Sequence, residues 1–313
     1  MGISRIRENR PAPGLRPQHL AAVRAAAQVS GARVEGDAIG SRRLAFDPGR
    51  ASPGDYRFEI GTAGAVSLVL QTIFVPLSFA GGASTAVIEG GTHVPWSPSF
   101  EYLREAWLPS MREIGFDAEA ELALAGFYPK GGGRLEARVR PAAPLRPISR
   151  LDRGRLLRIR GASAVANLDE EIAERQRRAA VDRLGRRCRD LQIGIERLPS
   201  RVQGTCIVLV AEFERARLVS TALGKLGKRA EEVGRGAAGE LERMLDTEGA
   251  VDPHLADQLV LPLALAEGAS EFRVCEATQH LRTNLEVVRR FLPEVRAEVR
   301  GLTVRIEGVG RDS

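Results

Sequence analysis

The sequence predicts an α/β (α+β) protein whose body consists of repeated helix–strand units, with a small α/β domain inserted between them. Two observations support this prediction: two stretches of the chain resemble one another, and the composition changes sharply between them. The chain has 313 residues, a length typical of about two domains. Its 43% hydrophobic and 27% charged residues exclude a wholly disordered, collagen-like or coiled-coil chain.

The internal similarity joins residues 68–93 to residues 256–280. Each stretch reads as an apolar helix, a small-residue turn, a strand and a loop with a histidine, and an amphipathic helix follows. The two apolar helices are predicted at residues 64–79 and 256–267. Prolines, turns and histidines match at nearly one offset: Pro76 with Pro262, Ala83-Ser84 with Ala269-Ser270, and His93 with His280. These matches disfavour the alternative, a chance likeness of Ala/Leu-rich helices.

A third, partial copy of the unit begins the chain. Residues 3–7 are strand-like, residues 18–29 form an Ala-rich helical pattern, and residues 33–35 and 43–46 predict short strands. This copy lacks the first helix of the other two. We therefore expect the chain to begin in the middle of a unit, as a truncated form of a longer protein.

The inserted domain is predicted at residues 152–246, which are dense in Arg and Glu. It divides the body into residues 1–151 and residues 247–313. Its charge runs are interpreted as solvated helix faces. Its predicted elements are helices at residues 168–188 and 226–246 and strands at residues 156–160, 191–195 and 206–214.

The charge balance favours a polyanionic partner. Lys and Arg number 46 against 40 Asp and Glu, and the sequence pI is about 9.8. Cys188, Cys206 and Cys275 form no CxxC pair, which indicates a reducing compartment. No signal peptide is visible, so we expect a cytoplasmic protein.

One stretch leaves a membrane span open as an alternative. Residues 60–88 carry no charge and are long enough to cross a bilayer. Their glycines and Pro76 favour a buried helix, a turn and a strand instead, and we predict no membrane association.

Two features could carry chemistry. Histidines occur only in the predicted body, at His19, His93, His254 and His280, and a lone histidine is more often structural than catalytic. The segment GFYPKGGG at residues 126–133 places three glycines after Lys130, where backbone N–H groups could approach an anion without a β-carbon clash. It lacks the Walker A pattern, and a flexible turn is the alternative.

This segment resembles a signature of the RNA 3'-terminal phosphate cyclase family. The resemblance covers nearly the whole chain and is weakest in the insertion. It implies units of two helices on a four-stranded sheet and a small inserted α/β domain. The other matching motifs, in order, are RPAPGLRPQHL (10–20), GTAGAVSLVLQT (61–72), GGTHVPWSPSFEYL (90–103), HLADQLVLPLALA (254–266) and HLRTNLEVVRRFL (280–292).

The resemblance implies an ATP-dependent ligase-type reaction on RNA that carries a 3'-terminal phosphate. In the family a histidine, matched here by His280, takes AMP from ATP and passes it to the terminal phosphate. The neighbouring 2'-OH then displaces AMP, giving a 2',3'-cyclic phosphate. Mg²⁺ or Mn²⁺ would assist, and no obligate protein partner is evident.

The resemblance also implies the remaining site residues. Asp257 is a candidate for holding the metal or His280. His254 stands where an aromatic residue is usual, and Ala125 where a basic one is. The family's N-terminal GEGGGQ turn has no match in the sequence. The ATP-contacting positions match Gln71, Pro98, His254, Leu255, Ala256, Asp257 and Gln258, and the phosphate- or RNA-contacting positions match Arg7, Arg10, Gln18, Lys130, Gly131 and Gly132.

Two other functions stay open. A catalytically impaired cyclase-like protein could serve as an RNA-binding or ribosome-assembly factor, although such relatives lack the nucleophilic histidine. A generic nucleotide-binding enzyme would account for the glycine-rich turn and leave the other five motifs unexplained.

Overall fold

A computed structural model describes residues 1–310. The chain forms two compact units. Unit 1 contains Met1–Phe100, Asp117–Ala142 and Pro199–Gln203, and unit 2 contains Glu101–Phe116, Ala143–Leu198 and the chain from Gly204 onwards. The α/β (α+β) fold class is confirmed, because the described residues form one three-stranded and three four-stranded sheets, with helices between the strands along the chain.

A three-stranded antiparallel sheet begins unit 1, in the order β1-β3-β2. The predicted strand at residues 3–7 is wrong at its end, because Arg5 and Arg7 have φ angles of 58° and 54° and turn the chain away. Helix α1 ends at Gly31, whose φ of 59° suits glycine. The elements are β1 (Gly2–Ser4), α1 (Pro17–Ser30), β2 (Arg33–Glu35) and β3 (Arg43–Asp47).

A four-stranded sheet follows, in the order β4-β5-β7-β6. Strands β4 and β5 are parallel, and the other pairs are antiparallel. Residues 60–88 fold as α2, a turn and β5, and no helix among residues 1–310 is long and apolar enough to cross a membrane. The elements are β4 (Asp55–Glu59), α2 (Val66–Ser78), β5 (Ser84–Gly90), α3 (Phe100–Tyr102), a π-helical turn (Leu103–Trp107), α4 (Leu108–Ile114), β6 (Asp117–Leu124) and β7 (Gly133–Arg140).

Unit 2 contains a four-stranded sheet in the order β10-β9-β11-β12, with two helices packed against it. Apolar side chains of all four strands and both helices form its core, which also includes Cys275. The boundaries 152 and 246 stay a prediction. The elements up to this point are β8 (Ser149–Arg150), β9 (Leu156–Ala166), α5 (Glu170–Leu184), β10 (Leu191–Arg197), β11 (Gly204–Phe213), β12 (Arg217–Leu223) and α6 (Ala230–Leu245).

The second sheet of unit 2 repeats the strand order of the β4–β7 sheet. Its order is β8-β13-β15-β14, with β8 and β13 parallel and the other pairs antiparallel. This agreement supports the internal repeat. The predicted helix at residues 256–267 is wrong at both ends. The elements are α7 (Pro253–Gln258), α8 (Val260–Ala264), β13 (Glu267–Arg273), α9 (Gln279–Phe291), β14 (Arg296–Arg300) and β15 (Thr303–Val309).

Two residues explain the earlier start of this helix and the break inside it. Asp252 accepts N–H bonds from the first turn of α7, so the helix begins three residues earlier than predicted. Pro262 has no N–H to donate to the carbonyl of Gln258, which favours the break between α7 and α8 at Leu259.

Candidate active site

Two loops of unit 1, the second of them glycine-rich, run side by side beyond its four-stranded sheet. The N–H groups of Thr92 and His93 donate to the Gly126 carbonyl at 2.9 and 3.0 Å. The Gly126 N–H donates in return to Thr92 Oγ1 at 2.8 Å. A β-carbon on Gly126 would lie 2.2 Å from the Gly133 nitrogen, so this approach requires glycine. The loops are residues 91–99, after β5, and residues 125–132, before β7.

A third loop, residues 61–65, is contacted from two directions. The side-chain oxygen of Gln18, on α1, accepts the Ala65 N–H at 3.3 Å. Gly131 approaches so closely that a β-carbon there would lie 2.9 Å from the Ala63 Cα. Unit 1 therefore brings together the predicted phosphate-contacting residues Gln18 and Gly131.

The predicted basic residues of unit 1 differ in their surroundings. Arg7 donates from one guanidinium nitrogen to the carbonyls of Ala12 and Gly14, at 2.9 and 3.3 Å, and so holds its own loop. Arg10 and Lys130 are exposed, as is Gly132 beside Lys130. Of the three predicted basic residues, Arg10 and Lys130 are therefore more open to solvent than Arg7.

Gln71 and Pro98 also lie in unit 1. Gln71 is half-buried on α2. The carbonyl of Pro98 accepts a hydrogen bond from the Ser67 hydroxyl at 2.8 Å, which ties the loop of residues 91–99 to the start of α2.

His280 occupies the first turn of α9 in unit 2. Thr278 caps this helix by accepting the Leu281 N–H on its side-chain oxygen at 3.2 Å. The His280 side chain is 88% exposed. The positive end of the helix dipole therefore faces any negative group bound at this imidazole.

Asp257 lies next to His280 and is more deeply buried. Its Oδ2 is 3.9 Å from His280 Nδ1, and its side chain is 19% exposed. Burial raises the pKa of Asp257, and the imidazole of His280 opposes that rise. The Asn284 side chain donates to the Asp257 carbonyl at 3.2 Å, so α7 and α9 hold the pair together.

A buried carboxylate positions α7. Asp252 Oδ1 accepts the N–H groups of His254 and Leu255, at 3.0 and 2.9 Å, and the Tyr102 hydroxyl at 2.7 Å. Burial raises the pKa values of both Asp252 and Tyr102. The Asp252 Oδ2 has no hydrogen-bond partner among the described residues.

The other predicted nucleotide contacts lie along α7. Leu255 and Ala256 are buried as whole residues, so neither is presented to solvent in this structure. The Gln258 amide donates to the His254 carbonyl at 2.6 Å. His254 Nε2 lies 3.2 Å from Glu240 Oε1, and this hydrogen bond raises the pKa of His254 although burial opposes it.

The four histidines are in different environments. His19 Nδ1 accepts the Arg16 N–H at 3.1 Å at the start of α1. His93 is buried, bonds Thr92 and stacks on Phe127. His254 pairs with Glu240. Among residues 1–310, His280 is the histidine whose ring nitrogens make no hydrogen bond, which suits a nucleophile.

The family assignment comes from comparison with known proteins. A model of the family "RNA 3'-terminal phosphate cyclase" matches residues 1–298. The chain belongs to the RNA 3'-terminal phosphate cyclase family. The resemblance predicted from the motifs is therefore confirmed.

Curated relatives agree with this assignment. The RNA 3'-terminal phosphate cyclase of Thermococcus onnurineus is 45% identical, with 98% of this chain and 90% of the relative covered. That of Staphylothermus marinus is 41% identical with the same coverage. That of Pseudomonas fluorescens is 43% identical over 97% of this chain and 88% of the relative.

Two residues of this cyclase-family chain escaped prediction from the sequence. Asp252 stands directly before Pro253, and an acidic cap followed by proline is a recognised helix start, so that signal was present. Trp96 lies inside a family-like motif, but the sequence does not reveal that its ring is exposed.

Proposed function

We propose that this chain converts an RNA 3'-phosphate to a 2',3'-cyclic phosphate at the expense of ATP, with His280 as the nucleophile. Family membership supports the reaction. The single observation that supports His280 is its exposed imidazole, free of hydrogen bonds among the described residues, at the positive end of α9. His19, His93 and His254 are engaged elsewhere.

The first step forms a bond between His280 Nε2 and the α-phosphorus of ATP. The bond from that phosphorus to the bridging oxygen breaks, and pyrophosphate leaves with the electron pair. Nδ1 faces Asp257, which favours a proton on Nδ1 and leaves Nε2 unprotonated for attack. The first turn of α9 would stabilise negative charge on the bound phosphate.

Two further transfers complete the reaction. An oxygen of the RNA 3'-phosphate attacks the AMP phosphorus, and the bond to His280 breaks. The 2'-OH then attacks the terminal phosphorus, AMP departs with the electron pair of the broken anhydride, and the hydroxyl proton is lost. Arg10 and Lys130, both exposed, are suited to contact the RNA phosphate.

Asp257 fits a divalent ion as a single protein ligand. Among residues 1–310, Asp257 belongs to no group of three His, Cys, Asp or Glu ligand atoms within 4.8 Å of one another. Mg²⁺ is commonly bound by one or two carboxylates together with substrate phosphates. When bound, Mg²⁺ or Mn²⁺ would neutralise the triphosphate.

The test is covalent labelling with ATP that carries ³²P on the α-phosphate. We expect acid-labile, alkali-stable label on the wild-type protein, loss of label in His280→Ala, and retained label in the control His19→Asn. Cyclisation of a 3'-phosphorylated oligonucleotide should be lost with the label.

Two outcomes would contradict the proposal. Label that persists in His280→Ala would overturn the assignment of the nucleophile. RNA binding without label or cyclisation in the wild-type protein would favour the alternative of a cyclase-like RNA-binding factor.

A further inference from the structure

Trp96 is exposed to solvent, and its backbone has an uncommon conformation. Trp96 is 98% exposed, whereas the chain's other tryptophan, Trp107, is 3% exposed. Trp96 has a φ of 68°, a left-handed conformation that bulky L-residues rarely adopt. Such backbone outliers persist where the surrounding structure enforces them, and they cluster at functional sites.

The loop that carries Trp96 is held on both sides of it. The His93 ring stacks on Phe127 with centroids 4.7 Å apart. The Ser97 hydroxyl donates to the Val94 carbonyl at 3.1 Å, and the Pro98 carbonyl accepts a bond from α2. The exposed ring therefore projects from a tethered loop.

A second exposed aromatic residue lies on the adjacent loop. Tyr128 is 66% exposed and follows Phe127, the residue that stacks on His93. Lys130 comes two residues later. Residues 91–99 and 125–132 contain this lysine and no Asp or Glu, so the two loops carry exposed rings and positive charge only.

We propose that Trp96 and Tyr128 stack against unpaired bases near the 3' end of the RNA, while Lys130 contacts the phosphodiester chain. This inference rests on the proposed function and names how the substrate is held. Exposed aromatic rings beside basic side chains are typical of single-strand binding surfaces. Proteins also recognise RNA ends mainly through splayed, stacked bases.

The charge of the two loops favours RNA over a protein partner. Lys130 can pair with a phosphate, and the two loops contain no Asp or Glu to pair with the basic residues that a protein surface carries beside its acidic ones. Stacking on rings tolerates any base, so the site would accept different terminal sequences. We expect little discrimination between purine and pyrimidine ends.

The experiment compares wild type with Trp96→Gly, using a short unpaired oligoribonucleotide that carries a 3'-phosphate. Glycine removes the ring and also relieves the left-handed strain, so the variant should be at least as heat-stable as wild type. We expect its dissociation constant for the oligonucleotide to rise about 5- to 150-fold. Trp96→Phe should restore part of the affinity.

Intrinsic fluorescence provides a direct readout. A base stacked on Trp96 should quench the tryptophan emission of the wild type, and Trp96→Gly, which keeps only buried Trp107, should show no such quenching. An oligonucleotide with abasic sugars at its last positions should bind wild type and Trp96→Gly equally. Leu226→Ala, which removes a fully exposed apolar side chain from unit 2, is the control and should bind RNA as wild type does.

The outcomes separate this inference from the proposed function. If the wild-type protein forms the labelled adenylate and binds the oligonucleotide, unchanged binding by Trp96→Gly overturns the stacking surface and leaves the proposed function intact. If ATP quenches the Trp96 emission and RNA does not, the Trp96 ring contacts adenine, and this result also overturns the RNA-stacking surface. If wild type binds no 3'-phosphorylated RNA, the proposed function and this inference fail together.

Discussion

His280 Nδ1 lies 3.9 Å from Asp257 Oδ2, and the two side chains differ sharply in exposure, at 88% and 19%. The imidazole is exposed to solvent, while the neighbouring carboxylate is largely buried. Asn284 fixes the backbone of Asp257 from α9, the helix that carries His280. His280 and Asp257 are therefore held by the same pair of helices, α9 and α7.

Asp257→Asn should slow formation of the labelled adenylate about 10- to 100-fold, as expected when the partner that orients a reactive histidine is lost. Single-turnover labelling at pH 7 measures this rate. A variant with the wild-type rate would show that Asp257 has no influence on His280.

Asp252→Ala should lower the free energy of unfolding by about 2–4 kcal/mol, because α7 loses its cap and the buried Tyr102 hydroxyl loses its acceptor. Asp252→Asn is the control, since its amide oxygen can still accept these bonds. Urea unfolding at pH 7 measures the losses, and an equal loss in both variants would contradict the capping role.

The same residue predicts a pH dependence. Burial raises the pKa of Asp252, so its ionised form is less favourable in the folded than in the unfolded protein. Its contribution to stability should improve as pH falls from neutral through the raised pKa, down to about 3.9, where the unfolded carboxyl titrates. As the pH falls over that interval, the free energy of unfolding of wild type should therefore increase relative to that of Asp252→Asn.

Arg160 bridges two carboxylates in unit 2. It donates to Glu105 Oε2 at 2.5 Å and to Glu212 Oε1 at 2.8 Å. Burial raises the pKa of Glu105, but the guanidinium of Arg160 outweighs this and holds it below its ordinary value. Such a depressed pKa stabilises the fold above about pH 4.5, and the stability is lost as pH falls.

Arg160→Met should therefore lower the free energy of unfolding by about 1–3 kcal/mol at pH 7, because two partly buried carboxylates lose the cation that joins them. Glu105 keeps Arg104 and Glu212 keeps Arg158, which limits the loss. The gap from wild type should shrink as pH falls below about 4.5. Arg290→Met removes an exposed pair with Glu286 and should cost less than about 0.5 kcal/mol. Equal losses in the two variants would contradict the bridging role.

The sequence predicted local structure well, because local structure depends on short-range pattern. The helix predicted at residues 18–29 is observed at Pro17–Ser30. The motif that names His280 as the nucleophile places it at a helix start, where its side chain is exposed, and its role stays a prediction. The parallel and antiparallel order shared by two sheets follows from the internal repeat.

The supporting contacts could not be predicted from one sequence. Tyr102 and Asp252 are separated by 150 positions, and no spacing rule pairs them. The left-handed Arg5 and Arg7 ended a strand that side-chain pattern alone would have continued. Both depend on tertiary packing, which overrides local preference.

The adjacent glycines Gly131 and Gly132 provide a matched test of the triple-glycine turn. Both have left-handed backbones, with φ angles of 69° and 72°. A β-carbon on Gly131 would lie 2.9 Å from the Ala63 Cα and 3.1 Å from the Thr62 oxygen, whereas one on Gly132 would meet nothing within 4 Å. Gly132→Ala should therefore cost only the left-handed strain, about 1 kcal/mol or slightly more.

Gly131→Ala adds to that strain the displacement of residues 62–63, so it should destabilise the protein more than Gly132→Ala does, by at least about 1 kcal/mol. Because the displaced loop also donates the Ala65 N–H to the Gln18 side chain, affinity for 3'-phosphorylated RNA should fall further in Gly131→Ala than its loss of stability explains. Urea unfolding and oligonucleotide titration of both variants measure these differences. Equal effects at the two positions would mean that the turn is a flexible connection whose close approach to residues 61–65 has no role in holding the substrate.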